Sequence, residues 1–169
     1  MGKRTQFLHW TLFACLVAAG AYLAVENGWW GRVERDSTHI TLITLSVFTL
    51  STLWLGRLSW RIGSPHDGKG YRLLRHSLGH GHFAASACVT IGLIGTVIGY
   101  YLTSQLTTGG ENASEVMASN IKAGMGTYLI NTAVGGICGF LVEIQTHFGL
   151  MATERAMLEA GIPLEEDAS

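Results

Sequence analysis

The sequence predicts an all-α integral membrane protein with four transmembrane helices and both termini on the cytoplasmic side. Three observations carry that prediction. Of 169 residues, 48% are hydrophobic and 14% are charged, and the mean hydropathy is +0.30. A soluble domain carries about 25% charge. The charges gather in short segments between four long apolar runs. Both prolines, Pro65 and Pro163, fall outside those runs, so no span is broken by proline. The formal net charge is −1 and no basic stripe is present, which excludes nucleic-acid binding.

A helix crossing the ~30 Å hydrocarbon core needs about 20 residues. The expected spans are residues 7–25, 38–55, 82–102 and 125–148. The first follows a basic start, MGKRTQFLHW, that resembles a signal peptide. It lacks a small-residue cleavage site, so it reads as a retained helix. His9 is expected near its cytoplasmic interface. The second span is rich in hydroxyls: Thr38, Thr41, Thr44, Ser46, Thr49, Ser51 and Thr52. Such groups bond their own backbone or a neighbouring helix. The reading is a helix packed on its own bundle, with a second polar path as the alternative.

Residues 56–81 form a short basic loop, with a turn at Pro65, Asp67 and Gly68. His76 and His80 share a helical face, a spacing that suits metal ligands, and His82 lies close by. Gly79 and Gly81 weaken that helix, and the sequence places no cysteine or nearby carboxylate beside the histidines. A solvated membrane-surface segment is therefore expected, with zinc binding or pH sensing as the alternative. No metal site is assigned.

The third span holds GLIGTVIG. At 100° per residue Gly92, Thr96, Gly99 and Thr103 fall on one face, and Gly95 adds a further small residue. In lipid such glycines let a neighbouring helix approach closely. Residues 103–124 form a polar extracytoplasmic loop, in which Glu111 to Lys122 can make a short surface helix with Asn112 or Ser114 near its start.

In the fourth span Thr132 is followed by Gly135, Gly136 and Gly139 on or near its own face. Glu143 comes eleven residues later, about 1100° on, so it returns to within ~20° of Thr132 and ~16 Å further along. Residues 149–169 make a cytoplasmic tail, a short amphipathic helix with an acidic end. Eight Lys and Arg fall on the side of both termini and the 56–81 loop, and three on the other, which sets the orientation. Trp29, Trp30, Trp54, Trp60, Tyr100 and Tyr101 lie near span ends, where aromatic belts form. Cys15, Cys88 and Cys138 all sit in apolar runs and read as buried small hydrophobes.

The third and fourth spans thus each carry a glycine-rich stripe with a central threonine. Repeated around a ring, they would line a narrow passage with hydroxyls and apolar walls. IGLIGTVIGYYL followed by GMGTYLINTAVGGICGFLVEI resembles the MotA/TolQ/ExbB proton-channel family. The match covers roughly residues 86–145, and the paired motifs GLxGTVxG and TAxG carry it. The resemblance maps the family's pore threonines onto Thr96 and Thr132.

The resemblance implies the pore-forming subunit of an ion-driven membrane motor in a bacterial inner membrane, not an enzyme. It also implies a homopentamer around a dimer of a single-span MotB/TolR/ExbD-like partner, whose membrane aspartate binds the ion. The residues do not distinguish H⁺ from Na⁺; H⁺ is the family's commoner choice, and no cofactor is expected. Thr103 and Glu143 extend the expected ion pathway, and the six glycines serve helix packing.

Two positions depart from the family. Thr127 stands where Ton- and Tol-type relatives carry an acid, and the alanine-proline-type break that some relatives carry in this helix is missing. The flagellar stator's large cytoplasmic domain is represented here by about 25 residues, far short of a domain's usual size. The expectation is therefore a minimal motor that works through its partner. The rival readings are a self-contained oligomeric channel or holin-like pore and a structural scaffold.

Overall fold

The computed structural model describes residues 5–28, 31, 39–62, 68–105 and 113–162, with side chains described for 7–28, 31, 39–62, 68–102 and 128–162. Four helices carry the chain: α1 (Thr5–Glu26), α2 (Ile40–Ile62), α3 (Gly68–Gln105) and α4 (Ala113–Glu159). Each contains a stretch long and apolar enough to cross a membrane: Phe7–Glu26, Ile40–Ile62, Gly68–Leu102 and Tyr128–Glu159.

Local chemistry sets the ends. α1 stops where Asn27 Nδ2 caps the Leu23 carbonyl at 2.7 Å and Gly28 turns left-handed at φ 76°. α4 closes in a Schellman motif. Gly161 (φ 70°) donates to the Leu158 carbonyl and Ile162 to that of Met157, both at 3.0 Å. His39, at φ 54°, precedes α2 and offers its carbonyl to the amide of Ile43 at 3.2 Å.

Contacts fix an up-down-up-down topology. Phe7 meets Trp60 edge-on and Trp10 lies against Gly56, so α1 and α2 run antiparallel. Ile40 faces Gly95 and Gly81 faces Thr146, so α2 opposes α3 and α3 opposes α4. α2 and α4 run side by side in the same direction, joined by Thr41 with Asn131 and Thr52 with Gln145.

The buried core lies at the end holding the termini of the helical array. Leu55, Leu58 and Ile62 of α2 meet Leu74, Leu78 and Ala85 of α3 and Val142 of α4. Towards the other end α3 and α4 leave Leu93, Ile94, Val97, Leu129 and Ile137 exposed. α1 lies outermost, with Leu8, Leu12, Leu16 and also Cys15 exposed, so the expected burial of all three cysteines holds within the chain only for Cys88 and Cys138.

Two expectations about connections are corrected. Most of residues 56–81 are helical, since α2 continues to Ile62 and α3 starts at Gly68. Gly79 and Gly81 do not break α3, because Tyr71, Leu74 and Leu78 bury one face of it and Gly81 receives Thr146 of α4. Tertiary contact outweighs the roughly 1 kcal/mol that each interior glycine costs. The tail likewise has no separate helix: α4 runs unbroken to Glu159, with Thr153 and Met157 buried. Of the polar 103–124 loop, residues to Gln105 and from Ala113 are helical, and 106–112 lie outside the described residues. At 1.5 Å per residue α3 and α4 are about 57 and 70 Å long, well beyond a hydrocarbon core.

The hydroxyls of α2 are satisfied locally. Thr44, Ser46, Thr49 and Ser51 each donate to the carbonyl four residues earlier, at 2.7–3.0 Å. Thr41 and Thr52 bond α4 instead. Thr38 lies outside the described residues.

Candidate functional site: the α3–α4 hairpin

α3 and α4 approach until their backbones touch. A Cβ added to Gly92 would lie 2.6 Å from the Asn131 carbonyl oxygen and 2.9 Å from the Cα of Gly135. One added to Gly135 would lie 2.7 Å from the Cys88 carbonyl oxygen, and one on Gly139 would lie 2.8 Å from that of Ala85. Only hydrogen fits at these three positions. Gly99 holds the ring of Tyr128 in the same way, and Gly95 takes Ile40 from α2. Gly136 differs. A Cβ there would meet nothing within 4 Å, so within this chain it is not a packing residue, contrary to the sequence expectation. It faces the open side.

This close contact brings the two central threonines together. The Thr96 and Thr132 hydroxyls are in hydrogen-bond contact across the hairpin. Thr96 Oγ1 also lies 2.9 Å from the Tyr128 carbonyl and 3.1 Å from that of Gly92. A hydroxyl has one proton and two lone pairs. Thr96 can therefore serve only one of these acceptors at a time. If it donates to a carbonyl, Thr132 donates to Thr96 and keeps free lone pairs. If it donates to Thr132, the Thr132 proton is free for an outside acceptor. Both side chains are half-buried, so an outside group can reach the pair.

Behind the pair sits a buried amide. Asn131 is 1% exposed, and its Oδ1 accepts from the Thr41 hydroxyl of α2. Its Nδ2 donor has no partner among the described residues. An unmatched buried donor costs about 1–3 kcal/mol. A second amide, Gln145, ties three helices together: it accepts from the Trp10 indole of α1 at 3.2 Å and donates to Thr52 of α2 at 3.3 Å. Neither amide was singled out from the sequence. An uncharged polar side chain inside an apolar run is itself the signal that would have marked both.

Glu143 acquires a partner that the sequence reading denied to the histidines. Its Oε1 lies 2.7 Å from Nδ1 of His82, with both side chains 48% exposed. The carboxylate missing beside the His76, His80 and His82 group thus comes from α4, 61 residues away. His76 and His80 stack edge-on with each other, 5.1 Å between centroids. No group of three or more metal-ligating side chains occurs among the described residues. Further towards the same end Arg75 and Glu154 pair at 3.5 Å.

One side of the hairpin therefore carries a hydroxyl pair at one level and an acid–imidazole pair at another. The separation is about 16 Å measured along α4 and about 21 Å along α3. The open Gly136 lies between the two levels on α4. The helix containing Thr103 extends to Gln105, but the Thr103 side chain lies outside the described residues, as does that of Thr127. Searches against protein-family models, curated proteins and solved structures returned no match to the chain.

Proposed function

We propose that this chain is the pore-forming subunit of an ion-driven motor in a bacterial inner membrane, a homopentamer around a dimer of a single-span partner that brings a membrane aspartate to Thr96 and Thr132. The observation that carries this reading is the Thr96–Thr132 hydroxyl pair, held on a hairpin whose helices touch at Gly92 and Gly135. Its resemblance to the MotA/TolQ/ExbB motifs supports it.

The pair suits a carboxyl group in either protonation state. With Thr96 donating to Thr132, the freed Thr132 proton bonds a carboxylate. With Thr96 donating to the Tyr128 carbonyl, free lone pairs accept from a carboxylic acid. No permanent charge is needed on the wall, where it would be costly. In this reading the ion-binding carboxylate is the partner's aspartate, as the family resemblance implies. Glu143, with His82, receives the ion nearer the cytoplasmic end. A unit charge crossing 100 mV supplies about 2.3 kcal/mol, so several ions per turn yield useful work. Both termini lie on the cytoplasmic side in this reading.

The test is co-expression with the product of a neighbouring reading frame encoding one span with a central aspartate, followed by flux measurements in vesicles. Flux that requires the partner and its aspartate supports the motor. Flux from this chain alone overturns it in favour of a self-contained pore. Thr96→Val and Thr132→Val conserve shape and should abolish coupled flux while leaving the complex assembled; unchanged flux refutes the assignment of the pair. Glu143→Gln should slow flux or move its pH dependence, and a wild-type rate and profile would make Glu143 structural.

A further inference from the structure

A cavity of about 400 Å³ opens between the start of α1 and the end of α2, lined by Phe7, Trp10, Leu53, Gly56, Arg57, Trp60 and Arg61. It lies far from the threonine pair. Leu53 to Arg61 are 13–21 residues along α2 from Ile40, which packs near that pair, or about 20–30 Å. Leu53, Arg57, Trp60 and Arg61 recur at helical spacing, so α2 presents them on one side.

The chemistry of the walls is divided. Phe7 stacks on Trp10 and meets Trp60 edge-on at 4.8 Å, giving an aromatic wall. Beside Leu53 and Trp60 on the same side of α2 stand two exposed arginines, and neither has an acidic partner among the described residues. The Trp10 indole N–H is spent on Gln145. The cavity size falls within the about 300–1,000 Å³ typical of small-ligand sites.

We propose that this cavity binds the phosphate of an anionic phospholipid, with Arg57 and Arg61 as the phosphate ligands and the aromatic wall against the glycerol and upper acyl chain. Paired guanidinium forks match phosphate oxygens. Aromatic rings and long basic side chains at the ends of apolar helices sit at the headgroup level. A free phosphate ion would use the arginines but would leave the aromatic wall bare, so the lipid is the occupant. The inference rests on the apolar helices lying in a bilayer, as in the reading above, and on no part of the ion-transport mechanism.

The experiment is native mass spectrometry of the full-length chain released from detergent, titrated with phosphatidylglycerol, phosphatidylcholine or inorganic phosphate. At about one kcal/mol per basic residue near an anionic surface, two arginines give roughly a 30-fold preference for phosphatidylglycerol over phosphatidylcholine. Arg57→Gln/Arg61→Gln should remove that preference, Arg57→Lys/Arg61→Lys should retain most of it, and Arg75→Gln should leave it unchanged. Equal binding of the two lipids by the wild-type chain overturns the proposal, and this comparison needs no variant to fold. A double Gln variant that keeps both its fold and the preference also overturns it. So does inorganic phosphate that displaces the lipid at similar concentration. A chain that does not enter membranes refutes the membrane reading; a membrane-inserted chain indifferent to lipid charge refutes this inference alone.

Discussion

Gly135 and Gly136 are neighbours in α4 with opposite surroundings, and replacing each by alanine isolates the cost of the helix contact. The propensity gain is common to both, about 1 kcal/mol. At Gly136 the methyl group meets open space, so the variant should be more stable than wild type by about that amount. At Gly135 the methyl group would stand 2.7 Å from the Cys88 carbonyl oxygen and 2.9 Å from the Cα of Gly92. Both obstacles are backbone atoms of a continuous helix, so neither can swing aside. Normal carbon–oxygen contacts begin near 3.3 Å, so the helices must part by roughly half an ångström. Overpacking of this kind costs about 1–3 kcal/mol. The Gly135→Ala chain should therefore be about 1–3 kcal/mol less stable than the Gly136→Ala chain. Chemical unfolding in mixed micelles, followed by circular dichroism, gives the difference directly. If Gly135→Ala equals or exceeds Gly136→Ala in stability, the backbone contact at Gly92 and Gly135 is not what holds the hairpin.

Thr41→Val leaves the buried Asn131 Oδ1 without its donor, so unfolding in the same assay should show a loss of about 1–3 kcal/mol; no loss would mean that the amide does not depend on Thr41. Gly56→Leu drives a side chain into the Trp10 indole, so it should detach the start of α1 and increase amide hydrogen exchange there, while α3 and α4 stay protected. Exchange that rises equally in all helices would contradict the peripheral position of α1.

The apolar runs made the four helices legible, because each is about 20 residues long, the length at which a helix crosses a hydrocarbon core with its backbone polar groups bonded within the segment. The ends of α2 and α3 were harder to read. Gly79 and Gly81 lower helix propensity, and the polar residues around them suggest a loop. Tyr71, Leu74, Leu78 and Ala85 nevertheless lie at helical spacing in that same stretch and are buried in the structure. Their periodicity was the stronger signal, and it marks α3 as helical well before residue 82. Within this chain Gly136 departs from the packing expectation for a different reason. A stripe of small residues shows that a close approach is possible, but only the register of the partner helix decides which glycine receives it.

That register also explains the acid–imidazole pair. Setting Thr96 against Thr132 in antiparallel helices places residues fourteen before the first and fourteen after the second at one level. Those residues are His82 and Thr146, and Glu143 lies three before Thr146, less than one turn away. The pairing of His82 with Glu143 is thus a consequence of the threonine pairing, and one helix contact fixes both polar levels of the hairpin. The functional reading depends on the same coupling. A shift by one turn would separate the hydroxyls and part the acid from the imidazole together. Rigid glycine contacts between the two levels oppose such a shift. In the motor proposed above, motion would then belong between subunits and partner, with each hairpin moving as a unit.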